Sequence, residues 1–462
     1  LKITELSLAA SLRLYLITQS FSLMKRRSFL STSLKFGTGL AIAYGTPVEL
    51  LANYRRQYNL NNEIGVALIG CKGMGWSNLA SMLKIPEVKC IALCDVDENV
   101  LRQRAAELDK INIKPSLHGD YRKVLELKEV DVVIIGTPDH WHCLMMVDAC
   151  AAGKDVFVEK PASNSIGEAA IMVAAAKKYN RLVQVNQWQR SQQHFKDAIA
   201  YVQGGKLGTI AQTKTWMYNG HGILPAAGNT PVPAGVDYNS WLGPAPKREF
   251  NPNRFHYNFR WYWDYAGGLM TDWGVHLIDM VLFGMQASAP KKITALGGHI
   301  AYPNDARETP DTQTAIYEFG AFQMIWEHTM GRQYGLYGMG HGIAFVGNNG
   351  TLLLNRGGWE VRPETENKTP KLEAVSWQKS QDSGLDLHTK NFIEALQNRN
   401  AALLNCPIEA GAMVAQVSHM GNVALRTGRQ IAWDDTAKKF DDKQANELLT
   451  ASYHNGWKLP KV

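Results

Sequence analysis

The chain has little cysteine: six residues in 462, at positions 71, 90, 94, 143, 150 and 406. None of the spacings is C-x-x-C, which removes a zinc ribbon or a thioredoxin-like redox pair. Their dispersal does not suggest a disulfide framework either, so they read as reduced, buried thiols. Long hydrophobic runs are also missing. After the first 50 residues no stretch of about 18 apolar residues occurs, and no spanning helix is expected. A surplus of one charge is absent where it would matter. The formal net charge is +7, but residues 1–60 hold eight Lys and Arg against two Glu, which leaves the rest of the chain at +1. That gives no electrostatic case for nucleic acid. There is no internal repeat and no low-complexity segment. What remains, 45% hydrophobic and 20% charged, is an ordinary globular composition with room for two or three domains.

The basic surplus belongs to one motif. "MKRRSFLSTSLKFGTGLAIAYG" starts at Met24 with Arg26-Arg27, continues through Ser28-Phe29-Leu30 into a weakly apolar run, and offers Ala41-Ile42-Ala43 as a cleavage site. The whole pattern resembles a twin-arginine export signal, so a periplasmic or otherwise exported protein is expected. The segment before Met24 is interrupted by Arg13 and reads as an upstream extension. Residues 1–60 are therefore assigned to upstream segment, signal and linker.

From Ile64 onward, short β-branched runs alternate with amphipathic ones. Strands are expected at 64–70, 88–96, 130–138, 154–161 and 181–188, and helices near 74–84, 98–109, 140–152 and 164–179. This alternation implies parallel βαβ units and a doubly wound sheet, a Rossmann domain over 61–185. After about residue 186 strands follow one another with turns, as in "KITALGGHI" and "FQMIWEHTM", which predicts an α+β domain over 186–435 with an open, mostly antiparallel sheet. A last helix is expected near 407–426 and a polar tail over 436–462. The aromatic, proline-rich stretch 216–266 is a long insertion of a length that is usually functional.

The first strand runs into Gly70-Cys71-Lys72-Gly73-Met74-Gly75 and then a helix. Glycines there permit a tight turn, and a helix N-terminus receives a pyrophosphate. The G-x-G-x-x-G template would place glycine at 72, where Lys72 stands. Context supplies the rest: Asp95 ends the second strand about 20 residues later, placed to bind a ribose diol, which favours NAD over NADP. "GTPDHWH" (Thr137, Pro138, Asp139, His140 and His142 within it) and Glu159-Lys160-Pro161 end later strands, so they face the same crevice. A lysine beside a cationic nicotinamide ring is pushed toward a lower pKa and suits proton acceptance during alcohol oxidation.

A further stretch, "GGLMTDWGVHLIDMVLFG" (267–284), reads as an apolar helix with Thr271 as N-cap. Asp272, His276 and Asp279 form a polar stripe at i, i+4 and i+7. Such a stripe is either an acid/base face or a structural polar network. Asp279, further along, reads as structural, bonded to backbone or an arginine.

Together, the glycine loop, Asp95, GTPDHWH, EKP and the D-x-x-x-H of Asp272 and His276 resemble the glucose-fructose oxidoreductase, inositol dehydrogenase and MocA family (Gfo/Idh/MocA). The resemblance implies a site between two domains in which Lys160, Asp272 and His276 surround the nicotinamide C4 and the substrate hydroxyl. Asp272 would orient the imidazole or the substrate. Asn186 and Arg190, at the domain junction, are candidates to touch nicotinamide or sugar. Trp263 and Tyr265 stand for an aromatic-rich insertion that suits a pyranose, with its apolar C–H faces and polar rim. A carbohydrate substrate, no metal, and a homodimer or homotetramer are the corresponding expectations.

Export must be reconciled with redox chemistry, because no cofactor pool exists outside the cytoplasm. A tightly held NAD returned to its starting state in each cycle satisfies both. One solution is a sugar oxidoreductase that reduces a second carbonyl substrate. The alternative is an NAD-dependent glycosidase that uses transient oxidation, elimination, hydration and reduction. The glycosidase branch acting on N-acetylgalactosaminides resembles this chain in its signal and H-W-H region but has Tyr-Pro-Thr-His near its catalytic helix and no lysine in its E-x-P motif. Retained Lys160 therefore leans toward the oxidoreductase. A non-catalytic cofactor- or sugar-binding protein is the third reading, with Lys72 as its support.

Overall fold

The computed structural model describes residues 63–462, and the twin-arginine motif lies outside the described residues. The runs richest in Val and Ile form one six-stranded sheet. Its members are Ile64–Ile69 (β1), Val88–Cys94 (β2), Ser116–His118 (β3), Val132–Ile135 (β4), Asp155–Val158 (β5) and Val183–Val185 (β6). All pairings are parallel, in the order β3-β2-β1-β4-β5-β6. Every residue of β1, β4 and β5 is buried, because helices cover both faces and the strands can be continuously apolar. Strand order reverses between β1 and β4, and that reversal opens a crevice at their carboxyl ends. The sequence reading misses β3, whose Ser-Leu-His lacks any β-branched residue and which sits at the sheet edge.

Helices Gly73–Met82, Glu98–Asp109, His142–Ala151 and Ile166–Lys178 supply the crossovers. Their starts are marked chemically. Asp97 accepts from the Asn99 N–H at the head of Glu98–Asp109, and Ser165 from the Glu168 N–H at the head of Ile166–Lys178.

The second sheet has ten strands. They are Ile210–Asn219 (β7), Lys292–Gly298 (β8), Thr312–Glu318 (β9), Gln323–Met330 (β10), His341–Gly347 (β11), Gly350–Asn355 (β12), Gly358–Pro363 (β13), Val375–Lys379, Ile431–Asp434 and Lys439–Phe440. Its order begins at Val375–Lys379, runs β13-β12-β11-β7-β10-β9-β8, and ends on the last two strands. All neighbours are antiparallel except β7 and β10. In β10, Met324, Trp326, His328 and Met330 point inward and alternate with more exposed residues, the pattern of a sheet covered on one face. Helices Gln193–Gln203, Val275–Met285 and Ile408–Thr427 pack on that face. On the other, Leu296, Ile300 and Ile316 are exposed.

Residues 63–462 form one compact unit, because late segments return to the first sheet. Val185 donates its N–H to the Cys406 carbonyl, and Phe392 packs on Phe157 at 5.5 Å. The tail does the same: Gly167 N–H donates to Leu449, Tyr453 donates to Glu168, and Trp457 meets the edge of Trp141.

Candidate functional site

The glycine loop shows which positions need glycine. Gly70 has φ +86° and Gly73 φ +52°, conformations that side chains strain. Gly75 needs its hydrogen for space: a Cβ would lie 2.1 Å from the Gly70 carbonyl oxygen, and one on Gly136 would lie 2.4 Å from the Gly75 Cα. The helix thus packs directly on the turns after β1 and β4. Lys72, by contrast, has φ −105° and ψ 162°, an extended conformation open to any residue. Its departure from the template costs no strain.

A cavity of about 1250 Å³ opens above this loop. Gly70, Lys72, Gly73, Met74, Asp95, Thr137, Pro138, Asp139, Glu159, Lys160 and Asp272 line it. Asp95 accepts from the N–H groups of Cys71 (2.8 Å) and Asp97 (3.0 Å). These two bonds leave each of its oxygens a further lone pair for a ribose hydroxyl. Arg102, Arg104 and Arg122 also line this end, but each is paired already, with Glu98, Glu107 and Asp120. No arginine there is left for a 2′-phosphate, and the Asp95 carboxylate would repel one. The Thr137 hydroxyl is buried without a partner. Glycine cradle, ribose-binding carboxylate and unspent hydroxyl fit a dinucleotide.

The insertion closes this end. Asp237 N–H donates to Val96, Glu98 N–H to Gly235, and Asn99 Nδ2 to Ala234. His256 Nε2 lies 3.0 Å from Asp97 Oδ2. Tyr257, Phe259 and Arg260 follow along the cavity wall.

At the other end, Lys160 Nζ donates to Asp272 Oδ1 at 2.7 Å and to the Asp272 main-chain carbonyl at 2.9 Å. Arg260 Nε stands 3.5 Å from the same carboxylate oxygen. The turn Met270–Gly274 is π-helical, a widening that recurs at functional sites. Thr271 is not the N-cap expected from sequence. The helical stretch begins at Gly268, and the Thr271 hydroxyl, inside it, accepts from the Gly267 N–H. Burial raises the Asp272 carboxyl, but Lys160 and Arg260 outweigh it and hold the group well below the usual carboxylate range. Burial, reinforced by Arg356 and Lys160, presses His276 well below the ordinary histidine value. Its Nδ1 is buried and unpartnered. Asp272 is therefore committed to Lys160 rather than to the imidazole. Asp139, across the cavity, is pushed up by burial, against Lys160 and Arg260.

Several expected contacts with ligand are spent on the fold instead. Asp279 accepts three hydrogen bonds from Arg190 at 2.7–3.0 Å, and the pair is buried. Arg190 is thus removed from the cleft by the third member of the stripe. Asn186 donates to Glu159 at 2.5 Å and to Asn78 at 3.0 Å, and so braces the EKP turn from beneath. His142 holds two cleft loops together, with its ring nitrogens 2.8 Å from the Pro161 carbonyl and 2.9 Å from that of Thr137. His140 is buried against the Trp241 carbonyl. Trp263 donates to the Glu308 carbonyl, and Tyr265 is fully buried against Trp241 and His140. Neither aromatic lines the cavity, because both are spent on the insertion's own packing, whereas Trp241 and Tyr257 do line it. Trp188, Trp273, His341 and Arg356, which the sequence reading passes over, surround His276 instead. Trp188 follows β6 and was visible as a strand-end residue, whereas His341 and Arg356 carried no local signal.

A parallel sheet with a glycine turn at its switch point, a ribose-binding carboxylate and a lysine–aspartate–histidine group at the far end define a nicotinamide-dependent oxidoreductase. The family models agree. "Oxidoreductase family, NAD-binding Rossmann fold" matches residues 64–187, and "Oxidoreductase family, C-terminal alpha/beta domain" matches 207–309. The chain belongs to the Gfo/Idh/MocA oxidoreductases, and its first domain is NAD-binding. It is 26% identical to the oxidoreductase YrbE of Bacillus subtilis over 270 residues, 58% of this chain and 67% of that protein. It is 28% identical over 201 residues to a glycosyl hydrolase family 109 protein of Saccharopolyspora erythraea, 40% of this chain and 44% of the relative. The chain thus spans less than half the length of that glycosyl hydrolase. Among solved structures, aldose-aldose oxidoreductase from Caulobacter crescentus superposes with a TM-score of 0.61 at 17% identity, covering 80% of this chain and 99% of that one. Levoglucosan dehydrogenase, in complex with NADH and levoglucosan, gives 0.59 at 16% identity, covering 80% and 99%. At these identities the likeness is one of fold.

Proposed function

We propose that the protein oxidises a ring hydroxyl of a sugar or sugar derivative, with tightly held NAD as the hydride acceptor. The observation that supports this reading is the Lys160–Asp272 pair at the end of the dinucleotide cavity, with His276 buried close behind it. NAD, when bound, supplies the two-electron chemistry. His276, held neutral at physiological pH by burial and by Arg356 and Lys160, accepts the hydroxyl proton. Lys160, fixed by the carboxylate and carbonyl of Asp272, donates a hydrogen bond to the reacting oxygen and shares in moving its proton. The strap from the insertion supports slow cofactor exchange, as export through the twin-arginine route with bound NAD would require. The exposed apolar face with Leu296, Ile300 and Ile316 supports self-association as a dimer or tetramer.

Glycosidase chemistry through transient oxidation is the second reading, favoured by the family 109 relatives. One experiment addresses both. The protein expressed from Met24 is denatured, and released NAD(H) and NADP(H) are quantified by mass spectrometry. Near one NAD per chain is expected, and glycosides are then tested for cleavage without net NADH. An empty protein that binds no added NAD would overturn the oxidoreductase reading in favour of a non-catalytic scaffold. Free exchange of NAD would point to an ordinary dehydrogenase and against export.

A further inference from the structure

Around His276 lies a second group of side chains that neither the cofactor cavity nor the proton-transfer group uses. It is assembled from three separate segments: Trp188 and Gln189 after β6, His341 at the start of β11, and Arg356 in the turn between β12 and β13. Trp273 joins them from the π-helical turn. The Arg356 guanidinium lies against two indoles, with its carbon 4.5 Å from the Trp188 ring centroid and 4.4 Å from that of Trp273. Its Nε is buried without a partner, and its side-chain hydrogen bond is a long one, 3.4 Å from Nη2 to Gln189 Oε1. No ion pair among the described residues involves it. A mostly desolvated guanidinium without a counter-charge is costly, and burial presses its pKa down to about 10, so it stays charged at neutral pH.

Lys160, Arg260 and Arg356 all act on the carboxylate of Asp272, and the buried carboxyls of Asp139 and Glu159 stand beside Lys160. His276 Nδ1 and His341 Nε2 are both buried and unpartnered, and the His341 ring packs on Trp273 at 4.9 Å. His276 is 5% exposed. A guanidinium without an ion-pair partner and unspent polar atoms therefore occur together, next to the group that would face the substrate hydroxyl.

The chemistry of the guanidinium also suggests the shape of the missing partner. Trp188 and Trp273 lie against it, and its Nε–H is left without an acceptor. A planar two-oxygen group meets a guanidinium edge with two parallel hydrogen bonds.

We propose that Arg356 is a subsite for a carboxylate on the substrate, so that the sugar presented to His276 is an acidic one, of the uronic acid class. The Trp188 and Trp273 rings hold the guanidinium in place, and His276 and His341 offer polar contacts to neighbouring hydroxyls. The proposal rests on the oxidoreductase reading for the reaction, but not for the binding.

The test is equilibrium binding to the NAD-loaded protein, read by calorimetry. The ligands are methyl glucuronoside and methyl glucoside, which share one ring and differ in a single carboxylate, together with glucose 6-sulfate. The uronide is expected to bind at least about tenfold more tightly than the glucoside, as suits hydrogen bonds to a charged acceptor. Arg356→Gln should erase that preference. Arg356→Lys, which keeps the charge and loses the planar fork, should keep only part of it. Equal binding of uronide and glucoside by the unaltered protein would overturn the proposal, and so would a preference that survives Arg356→Gln. A sulfate ester that binds as well as the uronide would overturn the carboxylate assignment. Nicotinamide reduction is followed in the same samples. Uronide preference with no reduction by any sugar would leave the subsite standing and overturn the oxidoreductase reading, while reduction without preference would do the reverse. Should Arg356→Gln lose its NAD and thermal midpoint, the ligand comparison on the unaltered protein and on Arg356→Lys still decides.

Discussion

The two ends of the cleft are built in different ways. At the glycine loop, consecutive residues do the work through their backbone: Gly70 and Gly73 adopt positive φ, Gly75 and Gly136 allow close approach, and Asp95 anchors two N–H groups. At the other end, side chains from positions as far apart as 160, 188, 272, 341 and 356 meet around His276, and several of their polar atoms are unspent. The first end binds what every dinucleotide offers, ribose and phosphate, so a local backbone arrangement suffices. The second must recognise one substrate and move one proton, which takes charges and orientations that no single segment supplies.

If that division is right, substitutions at the far end should cost catalysis first. His276→Asn, close to isosteric and unable to accept the proton, is expected to lower kcat for nicotinamide reduction by roughly 10²–10⁴-fold, the usual contribution of a general base. NAD content and thermal midpoint should stay near those of the unaltered protein. A loss under tenfold would remove His276 from the proton path. At the loop end the cost should fall on cofactor and fold instead. Gly75→Ala would drive a methyl to 2.1 Å from the Gly70 carbonyl oxygen, where the nearest atoms are backbone and cannot swing away. An overpacking penalty of about 1–3 kcal/mol is expected, visible as a lower urea midpoint together with reduced NAD content. Unchanged stability would mean that the helix can slide off β1, and that the close contact is dispensable.

The same contrast explains what could be read in advance. β1 and β4 are continuous apolar runs, and the glycine turn, Asp95 and the EKP lysine are local patterns, so the parallel sheet, the NAD-binding domain and the strand-end part of the cavity lining were legible. The stripe on the helix near 267–284 was legible only as a question. Asp272 and Asp279 are the same residue type two turns apart, yet one is held by Lys160 at the cavity and the other is spent on Arg190 in the interior. Which cation each meets depends on packing between segments 112 and 89 residues apart in sequence. Arg356 and His341 were invisible for the same reason: a lone arginine in a hairpin turn has no periodicity, and only the fold places it against two tryptophans.

A pH profile sharpens the comparison further. His276 must be neutral to accept a proton, and burial and Arg356 hold its folded value well below the ordinary histidine range. Activity is therefore present at neutral pH and lost as pH falls through that depressed value. After burial, Arg356 is the largest cause of the depression. Arg356→Gln should move the acid limb of kcat/KM upward. An acid limb that stays put would mean that another group titrates, and Lys160 would replace His276 as the proton acceptor.

The smallest effect is expected where the glycine template is broken. If the glycine missing at position 72 were a defect, Lys72→Gly would tighten NAD binding. The backbone argues otherwise: φ −105° and ψ 162° is ordinary extended chain, so glycine would relieve no strain and would add freedom to the unfolded loop, at a cost of up to about 1 kcal/mol. Lys72 also lines the cavity as a cation beside the turn that receives the pyrophosphate, and its removal takes away a screened, exposed attraction worth about as little. Lys72→Gly is thus expected to weaken NAD binding by less than about tenfold, measured by calorimetry on protein stripped of cofactor. Tighter binding in the variant would show that the loop is a degraded dinucleotide motif, and would shift weight from the far end of the cleft to a scaffold that merely retains its cofactor.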